Sequence, residues 1–303
     1  MTDTAIRTEQ LVKQYQDKKA LDALSISISS GYITGLIGRN GSGKSTFMKL
    51  CAGLLDKTSG KFEVFGNDPM DELQTLSNLV YTYHDMKYEK PLKLKAILSN
   101  YDVMFPNFDL AFATKLLRYF NLSPTMKYAQ LSQGMASIFN FICGLSCRAA
   151  LTMLDEPVLG MDVTVRKAAY EVLLRDYSEY PRTIIISSHL LSEIESVLSD
   201  ILLIDEGKLI LHENIDDLRQ SAYMLEGSIN RLDEFCAGKK VIYRQNRETG
   251  NIAVIHEKPD DTALNSAKTA GLKLSVVRPE DLCVYLTREN KEGELECLWQ
   301  KVN

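Results

Sequence analysis

The stretch Tyr32–Ser45, YITGLIGRNGSGKS, decides the fold. Tyr32 to Ile37 is a short apolar run ending at a glycine, which reads as a buried strand. After Gly43 the apolar positions are Phe47, Met48, Cys51, Leu54 and Leu55, the spacing of an amphipathic helix. A strand therefore turns sharply into a helix through GRNGSGKS, Gly38–Ser45, which matches the pattern G-x-x-x-x-G-K-[ST]. Gly38, Gly41 and Gly43 let the backbone curl so that successive N–H groups and the helix N-terminus face an anion. Lys44 adds a point charge for the β- and γ-phosphates, and Ser45 is the expected Mg²⁺ ligand. Asn40, Ser42 and Thr46 belong to the same loop and are further nucleotide-binding candidates.

Downstream, Leu151 to Leu154 is an apolar strand ending in Asp155 and Glu156, and Pro157 takes the chain out of regular pairing. In phosphate-loop ATPases an aspartate at such a strand end serves the Mg²⁺ shell, and an adjacent glutamate orients or deprotonates the attacking water. Around this pair the pattern alternates. Ser25 to Ser29 has period two and reads as a strand, as do Thr183–Ser187 and Ile201–Ile204. Helices are expected around Thr164–Tyr177 and through Leu190, Leu191, Ile194, Val197 and Leu198. Alternating strands and helices imply a mainly parallel sheet with helices on its faces. Residues 81–141 hold 12 of the 25 aromatics and carry helical spacing at Leu110, Ala113, Leu116, Leu117 and Phe120, so a helical subdomain is expected over about 86–150.

Taken in order, these motifs resemble the nucleotide-binding subunit of an ABC transporter, over about residues 5–220. The resemblance implies a P-loop ABC ATPase cassette, with ATP and Mg²⁺ as its ligands. Tyr15, in LVKQYQDKKAL, resembles the aromatic loop whose ring stacks on adenine. LSQGM, Leu131–Met135, resembles the signature LSGGQ: Ser132 and Gly134 match, while Gln133 and Met135 depart. Read by itself, that segment is a helix capped by Ser132. Asp162, in VLGMD, matches the loop that crosses the family's dimer interface, and His189 matches its switch histidine, a contact for the γ-phosphate. In LVYTYHD, Leu79–Asp85, His84 stands where the family has a magnesium-binding glutamine. Imidazole is a poor magnesium ligand, so water held by His84 or Asp85 is expected to complete the metal shell. The resemblance makes Lys44, Glu156 and His189 the catalytic residues and Ser45, Asp155 and His84 the metal residues.

Beyond about residue 220 the units shorten to strand 222–227, helix 230–237, strands 239–245 and 251–257, helix 260–270 and strand 272–278. That order is ferredoxin-like, with the turn NRETGN (246–251) between the middle strands and a last helix from Pro279. Two domains are expected, a cassette over 1–220 and a small α+β domain over 221–303, which suits a chain of 303 residues.

Apolar residues make up 45% and charged residues 25%, ordinary globular usage that excludes a disordered or fibrous chain. The formal charge of −5 provides no footprint for nucleic acid or an anionic bilayer. No apolar run approaches the roughly 18 residues of a spanning helix, and no leader is expected at MTDTAIRTEQ. The six cysteines form no CxxC pair and read as small buried hydrophobes.

By the same resemblance the chain works as a head-to-tail homodimer at the cytoplasmic face of the membrane, attached only through a transmembrane permease. The aromatic-rich region after His84 is where the permease would dock by that analogy; core packing is the rival explanation for most of its rings, and only Tyr83, Tyr88 and Tyr101 are candidates for the contact. RPEDLCVYLTRE, Arg278–Glu289, resembles the ending of multidrug, antibiotic and peptide exporter ATPases and points to export. A DNA-repair ATPase would need a long coiled-coil insertion, yet Lys44 and Asp155 are only 111 positions apart. A translation-factor ATPase would carry two cassettes. A non-hydrolytic ATP-binding module is opposed by Glu156.

Overall fold

The apolar run before the glycine loop becomes β3 (Ile33–Ile37), every residue of which is buried. The computed structural model describes residues 4–70, 77–88, 92–245 and 250–287. β3 sits inside a six-stranded sheet of order β5-β6-β7-β3-β8-β9, formed with β5 (Leu79–Tyr83), β6 (Leu151–Asp155), β7 (Thr183–Ser188), β8 (Asp200–Asp205) and β9 (Lys208–Asn214). β5 through β8 and β3 pair in parallel, so β3 and β6 both end on the same edge of the sheet. β6 and β7 are buried along their whole length, as expected of strands covered by helices on both faces.

A second sheet, of order β2-β1-β4, is antiparallel and comprises β1 (Thr4–Tyr15), β2 (Lys18–Ser29) and β4 (Ser59–Val64). Helix α1 (Lys44–Cys51) lies between the two sheets. Its Phe47 and Met48 share one core with Leu11, Leu24 and Phe62 of the antiparallel sheet and Leu36 and Leu202 of the parallel one. Burying this side of α1 is what fixes the glycine loop that precedes it.

The helical region holds α2 (Leu94–Met104), α3 (Leu110–Tyr119) and α4 (Gln133–Ser146). The spacing read from the sequence buries Ala113, Leu116 and Leu117 on α3, whose first turn is capped by Asp109 accepting from the Phe112 N–H at 2.8 Å. Two of the three tyrosine candidates for the permease contact face inward instead. Tyr101 is buried, its hydroxyl lies 3.1 Å from that of Tyr88, and Tyr88 packs edge-on against Tyr128 and Phe139. Of the aromatics in this stretch, Tyr101, Phe108, Phe139 and Phe141 are buried in the core, most of the others are half-buried, and Tyr119 is exposed.

Helix α5 (Val163–Glu179) follows β6. The helix expected after His189 is shorter than its apolar spacing suggests. α6 (Leu191–Ile194) gives way to a single 3₁₀ turn, Glu195–Val197, which still buries Leu191, Ile194 and Val197. Cys51, Cys143, Cys147, Cys236 and Cys283 are free and buried, and Cys297 falls outside the described residues. Among the described residues no helix is long and apolar enough to cross a membrane.

The chain divides into two compact units, Met1–His212 and Glu213–Asn303. The second contains α7 (Ile215–Leu218), β10 (Tyr223–Gly227), α8 (Ile229–Cys236), β11 (Val241–Gln245), β12 (Asn251–Ile255), α9 (Asp261–Thr269), β13 (Lys273–Val276) and α10 (Pro279–Thr287). Its sheet is antiparallel in the order β11-β12-β10-β13, the arrangement of a ferredoxin-like unit. Tyr223, Leu225 and Ala253 pack with Leu232 of α8 and Ala267 of α9 in its core. Residues 246–249 of the expected hairpin turn lie outside the described residues.

Candidate functional site

Two of the loop glycines are required by close approach. A Cβ on Gly38 would lie 2.2 Å from the Ile204 carbonyl oxygen, and one on Gly43 would lie 2.5 Å from that of Ala20. Gly43 also has φ of 112°, which side-chain-bearing residues avoid. The loop is tied at its back: the Gly207 N–H, in the turn between β8 and β9, donates to the Ser42 carbonyl at 2.9 Å. Gly43 is the residue before α1 and offers no side-chain acceptor, so the first N–H groups of that helix stay available to an anion.

Lys44 is the first residue of α1 and is buried, 6% exposed. Its ammonium donates to the carbonyls of Gly38 at 2.6 Å and Arg39 at 3.3 Å, and stands 3.7 Å from Glu156 Oε1. Burial holds the Lys44 pKa below its ordinary value, although Glu156 and Asp155 pull it up. A cation already desolvated and curled over the loop is poised for a phosphate.

Asp155 and Glu156 leave the tip of β6 in different environments. Asp155 is buried, with Oδ2 accepting from the Tyr81 hydroxyl at 2.9 Å and Oδ1 accepting from the Ser187 hydroxyl. That same Ser187 oxygen accepts the Glu156 N–H at 2.9 Å. Burial and Asp155 together push the Tyr81 pKa up, so Tyr81 is a fixed donor at any ordinary pH. Glu156 has φ of 49°, a left-handed backbone that costs about 1 kcal/mol or more in a non-glycine residue. Its Oε2 lies 3.0 Å from His189 Nδ1.

Lys44, Glu156 and His189 border a cavity of about 580 Å³ also lined by Tyr15, Lys18, Ala20, Asn40 through Gly43, Ser45, Thr46, His84 and Leu159, with Asp155 buried behind it. An adjoining cavity of about 750 Å³ shares Lys18, Asn40, Gly41, Ser42 and His189 and adds Lys19, Arg39 and Lys208 together with Asp22, Asp205 and Glu206, Asp22 pairing with both Lys19 at 2.8 Å and Lys208 at 3.5 Å. Tyr15 is 44% exposed and carries the Lys13 ammonium 5.1 Å from its ring centroid.

The fit to a nucleoside triphosphate rests on that loop and on buried Ser42 Oγ, which has no hydrogen-bond partner among the described residues. Magnesium also fits: the Ser45 hydroxyl and the Asp155 carboxylate are hard oxygen donors. Among the described residues no cluster of three or more His, Cys, Asp or Glu side chains suits a metal, so phosphate oxygens and water must complete such a shell. His84 lines the cavity with a buried Nδ1 that lacks a partner among the described residues.

Gly38 and Asp155 adjoin lining residues without lining the cavity themselves, and three further sequence candidates lie away from it. Ser132 is exposed and caps α4, accepting from the Met135 N–H at 3.3 Å. Gly134 lies against the loop between β6 and α5, where an added Cβ would be 2.4 Å from the Gly160 carbonyl oxygen. Asp162 is exposed and caps α5, accepting from Thr164 and Val165 at 2.9 Å each. The structure thus brings together Tyr15, Gly38, Asn40 through Thr46, His84, Asp155, Glu156 and His189. Sequence reading missed Tyr81, Ser187 and the Lys18 and Lys208 cations. The serine pair before His189 was the only local signal for any of them.

The ABC transporter family model matches residues 21–159. The bacitracin transport ATP-binding protein BcrA of Bacillus licheniformis is 30% identical over 230 residues, 72% of this chain and 72% of that protein. This chain belongs to the ABC transporter ATP-binding family. The ABC transporter ATP-binding protein YtrB of Bacillus subtilis is 27% identical over 215 residues, covering 71% of the cassette chain and 74% of its relative. A solved ATP-binding subunit of an ABC transporter matches the cassette fold with a TM-score of 0.62 at 24% identity, covering 71% of this chain and 92% of that one. The cassettes of this family are ATPases that power transport.

Proposed function

We propose that the cassette hydrolyses Mg²⁺-ATP through Glu156 and drives the export of a peptide or drug-like molecule through separate transmembrane permease subunits. The observation that carries this reading is the placement of Glu156. Its carboxylate stands between the Lys44 ammonium and the His189 ring, beside the phosphate loop. Adenine stacks on Tyr15, the phosphates lie along Gly38–Thr46, and Lys44 balances their charge. Glu156 takes the proton of the attacking water, and His189 orients that carboxylate and reaches the γ-phosphate. Ser45 and Asp155, with water near His84, would hold magnesium, which when bound would supply charge neutralisation to the phosphates. Tyr81 and Ser187 keep Asp155 aimed.

Ser132, Gly134 and Asp162 stand outside the cavity of their own chain, which supports a head-to-tail pair in which each chain completes the other's site. Attachment at the cytoplasmic face of the membrane runs through the permease. Similarity to a protein named for bacitracin transport supports a peptide cargo, as does the exporter-like segment that forms α10. Phosphate release by the purified protein tests the reading. Glu156→Gln is expected to lower turnover by about 100-fold or more while leaving ATP binding intact; equal, near-zero rates in both proteins would leave only a non-hydrolytic binding module. Co-purification from membranes with its permease would identify the cargo route.

A further inference from the structure

A closed circuit of contacts surrounds the Glu156–His189 pair. Past Glu156 the chain turns tightly, with the Leu159 N–H donating to the Glu156 carbonyl at 3.2 Å and the Met161 N–H to that of Val158 at 3.1 Å. It then enters α5, in whose first turn the Arg166 N–H donates to the Asp162 carbonyl at 3.0 Å. The Arg166 guanidinium faces two ways. Nη2 donates to the Met161 carbonyl at 3.4 Å, and Nη1 donates to Glu193 Oε1, forming an ion pair. Glu193 lies in α6, and its N–H donates to the Leu190 carbonyl at 3.4 Å, next to His189. His189 Nδ1 then closes the ring on Glu156.

The two charged side chains are only 24% and 15% exposed, so the pair is far better shielded than an ordinary surface bridge. Lysine could meet Glu193 as a point charge but lacks the planar fork that reaches the Met161 carbonyl at the same time. Outside the ring, α5 and α6 line a groove that also contains Val163, Tyr170, Leu174 and Leu190. Tyr170 is buried, and its hydroxyl has no hydrogen-bond partner among the described residues.

We propose that Arg166 and Glu193 are positioning residues that tie the loop after Glu156 to the segment after His189, so that the imidazole stays in register with the carboxylate. The inference rests on the reading that Glu156 and His189 serve ATP hydrolysis. Arg166 touches neither the cavity nor the reacting groups, so its influence runs through His189.

The test is a set of turnover and ATP-affinity measurements on the full chain with Mg²⁺-ATP. Arg166→Ala is expected to lower kcat about tenfold with KM and ATP affinity changed less than about twofold, and Glu193→Gln to reproduce it. Arg166→Lys should recover only part of the loss. In a His189→Ala background, Arg166→Ala should cost less than about twofold, because the residue through which it acts is gone. Tyr170→Phe, which removes an unpartnered hydroxyl from the same groove, should leave turnover unchanged. A full tenfold loss in the His189→Ala background, or an equal loss from Tyr170→Phe, overturns the positioning role and leaves ATP hydrolysis by Glu156 standing. A wild-type protein that releases no phosphate overturns both. If Arg166→Ala does not fold, Glu193→Gln alone and combined with His189→Ala decides the same question.

Discussion

Helices α1 and α4 begin with the same geometric problem and solve it in opposite ways. Each has backbone N–H groups in its first turn without intrahelical acceptors, and each follows a short loop containing small residues. Before α1 stands Gly43, which offers no side chain, and the first helical residue is Lys44, a buried cation. Before α4 stands Ser132, whose hydroxyl already accepts the Met135 N–H, and the first helical residue is the exposed, neutral Gln133. One helix start has no capping side chain at all; the other has one of its N–H groups capped by its own serine. A helix dipole by itself therefore does not make a phosphate site, and what the cap residue leaves unpaired decides the matter.

Exchanging the first helical residues gives the largest effect. Lys44→Gln is expected to weaken ATP binding by about 100-fold, since a buried charge-assisted contact is lost, whereas Gln133→Lys should change the affinity of a single chain by less than about twofold. Equal losses, read by titration with a fluorescent nucleotide, would erase the distinction. The same lysine gives a pH signature: the melting temperature of the nucleotide-free protein should gain a contribution from Lys44 as pH climbs from the folded Lys44 pKa toward 10.5. Burial depresses the folded Lys44 pKa below its ordinary 10.5, so the unfolded chain holds that proton more tightly. The resulting penalty is full below the folded pKa and is gone above the unfolded one, so it is present at pH 7. A contribution that stays level or falls, read as the difference between this protein and Lys44→Gln across those pH values, would contradict this sign.

Glycine replacements come next. Gly43→Ala meets both a positive φ and the Ala20 carbonyl, and should cost about 2 kcal/mol in stability together with nucleotide binding. Gly134→Ala, which meets only the Gly160 carbonyl, should destabilise the fold without lowering single-chain ATP affinity. Smaller still, Ser132→Ala removes a cap and should cost about 1 kcal/mol in a denaturant titration, again with unchanged binding. The smallest expected effect is at the metal. His84→Gln places a hard amide oxygen in the cavity and should lower the Mg²⁺ concentration for half-maximal hydrolysis by about two- to fivefold. An unchanged Mg²⁺ requirement would remove His84 from the metal's surroundings.

The parts of the site legible in the sequence are those in which neighbours along the chain act together. GRNGSGKS gathers its backbone groups into one loop because they are consecutive, and LDEP carries Asp155 and Glu156 on adjacent residues. The alternation of strands and helices around them, and the ferredoxin-like order of the second unit, were equally local patterns. What escaped is assembled across the sheet. Tyr81 reaches Asp155 from β5, and Ser187 reaches it from β7, because those strands flank β6 in space and not in sequence. Arg166 and Glu193 lie 27 positions apart and meet only when α5 packs beside α6. Tyr88 and Tyr101 misled for the same reason: an aromatic residue has the same letter in a core and at an interface, and only packing separates the two.

The left-handed backbone at Glu156 has an evolutionary consequence. Asparagine or glycine would occupy that conformation with less strain, so on the proposed role ATP turnover is what keeps a glutamate there against its backbone preference. A descendant relieved of ATP turnover would drift toward those residues at position 156 and melt at a higher temperature. In diverged sequences, loss of this one strained carboxylate would then mark a lineage that has abandoned the reaction while keeping the architecture.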